Sequence, residues 1–320
     1  MARAWLGEKM NKPKDKVYFL SCGKWLDKNQ FLKYFEHKVF KTIRKYQLIN
    51  KEDKVAVAFS GGKDSLTLLY ILNKFCQARN QELVALAIDE GIRNYRSYLL
   101  KEGKKFCEKL GVPLKVFSFK KEFGFNLDDK KILKKIKKMK LSNCAVCSIL
   151  KRWLLNKKAK ELGVNIIATA HSLDDEAENI LLNLMKGSPE LLAKLGPKTG
   201  IKETKAFVQR VKPFYLCSTK EIVLYANLKK LPIPSKKIAT CPLRGETWRI
   251  EIRKWLDDMD KKHVEVKNAI VSSFLKLMPI IKKKYEDIEF RKCKLCGFAS
   301  SHDYCKACLL LKELKKINKF

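Results

Sequence analysis

One run constrains this chain more than any other: KVAVAF (54–59), then SGGKDS (60–65), then LTLLYILNKF (66–75). A short β-rich segment enters a glycine turn, and the turn opens onto an apolar helix. That order points free backbone N–H groups and the positive end of a helix dipole at an anion. Gly61 and Gly62 let backbone approach a ligand closely, Lys63 adds charge, and the hydroxyls of Ser60 and Ser65 can donate. GxxxxGK[ST] does not fit, so this is not a Walker A loop. A cradle for pyrophosphate suits ATP cleaved between its α- and β-phosphates. The bland alternative, a glycine turn that only caps a helix, is the weaker reading in this strand–loop–helix context.

The rest of the chain repeats that alternation. LVALAI (83–88), LKVFSF (114–119), NIIATA (165–170) and VQRVKPF (208–214) read as strands. Helical spacing recurs over 31–48, 95–110, 148–162, 172–185, 219–230 and 246–284, with Gly111 and Gly163 as stops. Residues 1–30 read as irregular and 187–206 as a loop. Short strands alternating with helices predict an α/β fold with a doubly wound parallel sheet.

Lys plus Arg number 69 and Asp plus Glu 34, a formal charge of +35 in 320 residues. Such an excess points to a polyanion, since each neutralised phosphate releases a counterion. A Lys/Glu-rich thermophile surface would balance the signs, and no strong lipid-anchor signal favours a membrane surface. Hydrophobic residues make up 46% of the chain, enough for a sizeable core. No run approaches the ~18 apolar residues of a membrane span, and the N-terminus lacks the apolar centre of a signal peptide, so a cytoplasmic protein is expected. The basic tract KKILKKIKKMK (130–140) is either a solvated amphipathic helix or an RNA-facing one, and its charge favours RNA.

In that compartment eleven cysteines read as metal or redox ligands rather than disulfides. Cys293-x2-Cys296, eight residues, then Cys305-x2-Cys308 is spacing for a closed four-thiolate Zn2+ site. A tail this short takes its folding energy from the metal, and His302 is redundant beside two full CxxC pairs. Arg291, Lys292, Lys294 and Lys306 around those ligands suit contact with an RNA backbone. Cys144 and Cys147 form a second CxxC at a helix start, a position that favours thiolate and permits zinc, iron–sulfur or disulfide chemistry. Cys76, Cys107 and Cys217 read as buried apolar residues. Asp174 and Asp175 open the helix after the fourth strand, where carboxylates serve Mg2+, proton handling or capping and would together face the ligand crevice. His171 is either polar lining or a packed core histidine.

AFSGGKDSL resembles the PP-loop of N-type ATP pyrophosphatases. CAVCSILKRWLLNKKAKELG (144–163), ATAHSLDDEAENILLN (168–183) and CKLCGFASSHDYCKACLLL (293–311) extend the resemblance to tRNA 2-thiolation enzymes, the TtuA-like and cytoplasmic wobble-uridine thiolation proteins, from about residue 31 to the end. The resemblance implies that Ala58, Ser60, Gly61, Gly62, Lys63, Asp64 and Ser65 hold the nucleotide phosphates, with Ile88 on the adenine pocket. It adds Lys151, Ala170 (where relatives usually have Gly) and Asp174 to the ATP site. A cysteine before proline, here Cys241, completes a three-thiolate set with Cys144 and Cys147 for a 4Fe-4S cluster; a persulfide or a three-sulfur zinc site are the alternatives. Cys144, Cys241, Asp175 and Lys151 become the catalytic candidates, and ATP, Mg2+, the cluster and Zn2+ the cofactors. The implied reaction adenylates C2 of a tRNA uridine and replaces its oxygen with sulfur. The segment after Cys241, RGETWRIEIRKWLDDMD, lies nearer the T-loop enzymes than the wobble ones. A ubiquitin-like sulfur-carrier protein and a homodimer are the implied partners beside tRNA. The expected layout is a basic N-terminal segment with a degenerate zinc finger (1–50), a PP-loop catalytic domain (51–290) and a zinc finger (291–320). In the first of these Cys22 is the lone cysteine before Cys76. Competing readings are 2-thiocytidine or lysidine synthesis, and a non-catalytic ATP- and zinc-binding RNA-binding protein.

Overall fold

The computed structural model describes residues 13–202, 207–263, 265–287 and 291–315. Strands β3 (Val55–Ala58), β4 (Leu83–Asp89), β5 (Leu114–Ser118), β6 (Ile166–Ala168) and β7 (Gln209–Val211) form one parallel sheet in the order β5-β4-β3-β6-β7. The chain runs outward from β3 through β4 to β5. It then returns to the other side of β3 for β6 and β7. The switch point therefore lies between β3 and β6, and a ligand crevice is expected beyond their carboxyl ends.

The sheet has two covered faces, so its strands are apolar on both. Val55, Val57, Ala85, Ile166 and Ala168 pack on one side with helices α1 (Lys28–Lys45), α2 (Lys63–Gln77), α3 (Arg96–Leu110) and, later in the chain, the helix at Thr219–Leu228. Cys76, Cys107 and Cys217 lie in this layer, and burial raises each thiol. Ala56, Leu86, Ile88 and Ile167 face the opposite layer, built from α4 (Phe119–Phe123), α5 (Lys130–Lys138) and α6 (Asn143–Glu161). A third cluster joins α7 (Leu173–Met185) and α8 (Pro189–Leu192) to two later helices. After α9 (Thr219–Leu228) and the short α10 (Lys236–Ala239), these are α11 (Trp248–Lys262) and α12 (Val266–Lys284).

Several sequence expectations shift here. The N-terminal region is not wholly irregular: β1 (Lys16–Phe19) and β2 (Trp25–Asp27) form an antiparallel hairpin, with Gly23 at φ +88° in its turn. Tyr18 on Phe31 and Phe19 on Trp25 fix it by ring contacts at 5.0 and 4.9 Å. Helix α6 begins five residues earlier than its apolar pattern suggests, because the Ser142 hydroxyl accepts the Ala145 N–H at 3.1 Å and caps it. The expected strand 208–214 is shortened to three residues ahead of Pro213, and the loop 187–206 holds α8. In the lysine-rich α5, Ile132 and Ile136 are buried and Lys135 donates to the carbonyls of Glu313 and Leu314. One face of that tract is therefore occupied by the chain's own tail. The tail consists of a β-ribbon, β8 (Arg291–Lys292) with β9 (Ala299–Ser300), and α13 (Lys306–Lys315). Among the described residues no helix is long and apolar enough to cross a membrane.

Candidate active site

A cleft of about 670 Å3 opens at the switch point. Ala58, Ser60, Gly62, Asp64 and Ser65 line it from the turn after β3, Ile88 from β4, Lys151 from α6, and Ala170, His171 and Asp175 from the turn after β6. The turn is held by its own hydroxyls. Ser65 Oγ donates to the Gly62 carbonyl at 3.0 Å and lies 3.0 Å from Ser60 Oγ. Gly62 caps α2 without a side chain, so the first N–H groups of that helix are left for a ligand. Gly61 sits at φ +76°, and a Cβ there would stand 2.7 Å from the Leu99 carbonyl oxygen. The Lys63 ammonium is 2.6 Å from Asp64.

The two aspartates of α7 part company. Asp175 closes a capping box with Ser172 and meets Arg249 and Arg253 of α11 at 3.5 and 3.4 Å. Asp174 instead accepts from the Thr219 backbone N–H at 2.7 Å and pairs with Lys267 at 2.8 Å. Asp64, Asp175 and Glu176 are thus the carboxylates lining the cleft, and Glu176 is taken by Lys212 at 2.8 Å. Burial raises Asp64, with Lys63 opposing and Asp175 adding to the rise. Two carboxylates that crowd each other at a phosphate turn are a donor set that fits Mg2+. His171 is held neutral, its pKa lowered to about 4 by burial and by Lys212. Its Nδ1 lies 3.0 Å from Thr169 Oγ1.

The three thiols converge. Cys144 and Cys147 stand in the first turns of α6, and Cys241 packs with Cys147 against the same apolar cluster. Cys147 feels the charge of Cys144, Cys241, Glu90 and Lys151, and Cys241 that of Cys144, Glu90 and Lys151. The expected lowering of thiol pKa at a helix start is reversed for Cys147. Burial pushes it up to about 12, and burial also raises Cys241. Desolvation outweighs the helix dipole here, which is the environment a bound cation corrects. Three clustered thiols fit a 4Fe-4S cluster as a donor set.

Together with Lys151, two residues with no sequence signal, Glu90 and Arg96, join this thiol set to the phosphate turn. Lys151, one turn beyond Cys147, pairs with the buried Glu90, and Glu90 lies 3.1 Å from the buried Arg96. Arg96 donates to the carbonyls of Ile88 at 2.8 Å and of Ser60. Glu90 is held below the usual carboxylate range: burial would raise it, but Lys151 and Arg96 prevail. The pattern IDEGIRNYR places an acid and an arginine at a strand end, which is common in solvated loops. Only the fold shows them sealed.

At the tail, the Sγ atoms of Cys293, Cys296, Cys305 and Cys308 all lie within 4.8 Å of one another, and Cys296 and Cys305 are 3.8 Å apart. Tetrahedral zinc with Zn–S of ~2.3 Å spaces its sulfurs at roughly this distance, so the residues fit the metal. Cys293 is brought down to about 6: burial opposes, and the N–H groups of Cys305, Cys296 and Leu295 win. His302 stands outside the four-thiol set.

Residues 32–233 match a family model described as the PP-loop domain, and residues 291–318 one described as a zinc ribbon. A Pyrococcus horikoshii protein named tRNA-5-methyluridine(54) 2-sulfurtransferase is 31% identical, the match covering 92% of this chain and 90% of that one. The Anopheles gambiae cytoplasmic tRNA 2-thiolation protein 1 is 34% identical over 92% of this chain and 84% of its own length. Among solved structures, the U34-tRNA thiolase NcsA from Methanococcus maripaludis with its [4Fe-4S] cluster superposes with a TM-score of 0.80, at 31% identity and 95% coverage of both chains. The carboxyl-end cleft, the glycine turn, the converging thiols and the four-cysteine ribbon thus occur in a chain that belongs to the PP-loop family of tRNA-thiolating sulfurtransferases.

Proposed function

We propose that this chain activates C2 of a tRNA uridine with ATP and replaces the C2 oxygen with sulfur. One observation carries the reading: Lys151 lines the nucleotide cleft and interacts with Cys147 and Cys241 as well. In the proposed reaction the C2 oxygen attacks the α-phosphorus and pyrophosphate departs. A sulfide equivalent then adds to C2, and the C2–O bond breaks with release of AMP. The Ser60–Ser65 turn and the α2 dipole stabilise charge developing on the phosphates. Asp64 and Asp175 would hold Mg2+, and Lys151, kept charged by Glu90, would face the adenylated base. Asp174, engaged by Lys267, positions α7 against α12 rather than touching the nucleotide. Bound to Cys144, Cys147 and Cys241, a 4Fe-4S cluster would offer one iron without a protein ligand for incoming sulfide.

The proposed target is a T-loop uridine; the Pyrococcus relative is named for 5-methyluridine(54), and the segment after Cys241 supports the same reading. A ubiquitin-like sulfur carrier as donor and a homodimer complete the proposal. The test is reaction of anaerobically prepared protein with unmodified tRNA, ATP and sulfide, followed by nucleoside mass spectrometry and mapping of the modified position. 2-Thiouridine in the T-loop, with AMP and pyrophosphate in equal amounts, is expected, and Cys241→Ala should abolish it. Modification at the wobble base would overturn the positional assignment. Product that survives Cys241→Ala would overturn the sulfur-transfer role.

A further inference from the structure

The cleft has a second cationic region that the chemistry above leaves unused. Arg210 lies on β7, two strands from β3, so ~10 Å of sheet separates it from the strand that feeds the phosphate turn. It is in register with Ile167, whose side chain faces the α6 layer, so Arg210 points to that side as well. Helix α6 is pinned there: Asn156 Oδ1 accepts the Val208 N–H at 2.9 Å. One turn earlier on α6 stands Arg152, and two residues further along β7 stands Arg210. Both side chains line the cleft, as does Lys194.

Their charges are uncompensated. The neighbouring cation Lys212 is satisfied by Glu176 at 2.8 Å, and Arg249 and Arg253 by Glu178 and Asp175. Arg152 and Arg210 have no such partner among the described residues. What acts on them, beyond burial, is other arginines: Arg249 on Arg152, and Arg152 on Arg210, whose pKa falls to about 10. Two guanidinium groups held together without a carboxylate call for an anion, and a planar fork of donors matches a phosphate.

Resting on the thiolation reading, we infer that Arg152 and Arg210 form an anion site that grips a phosphodiester of the substrate RNA next to the target uridine. The Ser60–Ser65 turn already provides for the phosphates of ATP, ~10 Å away across the sheet. An RNA base presented to the α-phosphorus must bring its own backbone into the same cleft, and the unpaired arginines stand where that backbone can be held. Lys194 would add a third, weaker point of charge.

The test is titration of an unmodified tRNA transcript against the full chain at several salt concentrations, alongside titration of a non-hydrolysable ATP analogue. Arg152→Ala and Arg210→Ala should each weaken tRNA binding severalfold and reduce the slope of log affinity against log salt by roughly 0.7–0.9. Affinity for the ATP analogue should stay within about twofold. Arg210→Lys, which keeps the charge and the fold, should restore the slope but not the full affinity. An unchanged slope in both alanine variants overturns the inference, as does loss of ATP-analogue binding in place of tRNA binding. Wild-type protein that thiolates tRNA while the variants bind it normally sinks this site alone. Wild-type protein that neither binds nor thiolates tRNA sinks the proposed function and this site together.

Discussion

Glu90 is the residue on which both halves of the site lean. Its carboxylate is buried between Lys151 and Arg96, and Arg96 in turn holds the carbonyls that end β3 and β4. Removing one partner of a sealed ion network strands the others, at a cost on the order of 3 kcal/mol. Glu90→Gln should therefore lower the unfolding free energy measured by urea titration by about that amount, with Glu90→Asp intermediate. A variant with wild-type stability would mean that the network is solvated. The pH dependence has a definite sign at this scale. Glu90 is depressed below its usual 4.5, so its contribution is present above about pH 4.5 and is lost as pH falls through the lower folded value. His171 is depressed from 6.5 to about 4, so the unfolded chain binds its proton first. Stability from His171 should decline as pH falls from about 6.5 to about 4 and level off below, and His171→Gln should flatten that part of a thermal-midpoint profile. Neither effect was legible in the sequence. Pairing of Glu90 with Lys151, 61 residues later, and the placement of His171 beside Lys212 depend on which strands become neighbours.

At the scale of elements, α6 connects the thiols to the tail. Its first turns carry Cys144 and Cys147, and its outer face receives α13: Ala307, Leu310 and Leu314 are buried in the same cluster as Val146, Leu150 and Leu154. Trp153 meets Phe298 edge-on at 5.8 Å. The zinc ribbon is therefore packed onto the catalytic layer rather than tethered beside it. Leu314→Ala should cost about 2–4 kcal/mol. Chelation of zinc should open residues 291–315 to protease while the sheet and α1–α9 stay resistant. Resistance of the whole tail without metal would show that the packing alone folds it. Much of this architecture was readable beforehand. Strands β3, β4 and β6 are apolar runs bounded by turns, α3 stops at Gly111 in the left-handed region (φ +68°), and the CxxC pairs announce the ribbon. What the pattern hid were elements fixed by partners far off in sequence. The β1–β2 hairpin is set by rings on α1, and the divergence of Asp174 from Asp175 is set by Lys267, 93 residues later.

Over the whole molecule, the charge of +35 is not reduced by the ion pairs held inside. Glu90, Glu176, Glu178 and Glu221 are buried, and each has a basic partner, so these pairs cancel. The excess is carried by the remaining side chains, so the field felt by a polyanion is that of the full +35. Binding of tRNA should then be dominated by counterion release, whereas ATP, held by a turn of backbone N–H groups and a few charges, should respond far less to salt. Between 50 and 200 mM salt, tRNA affinity should fall by ~10^3 or more if six or more phosphates are neutralised. The ATP-analogue titration over the same range should move by less than tenfold. Fluorescence-polarisation titrations of labelled tRNA and nucleotide on the same preparation would read both. A tRNA slope as shallow as that of the nucleotide would mean that the excess charge does not meet RNA, and that substrate selection rests on the cleft alone.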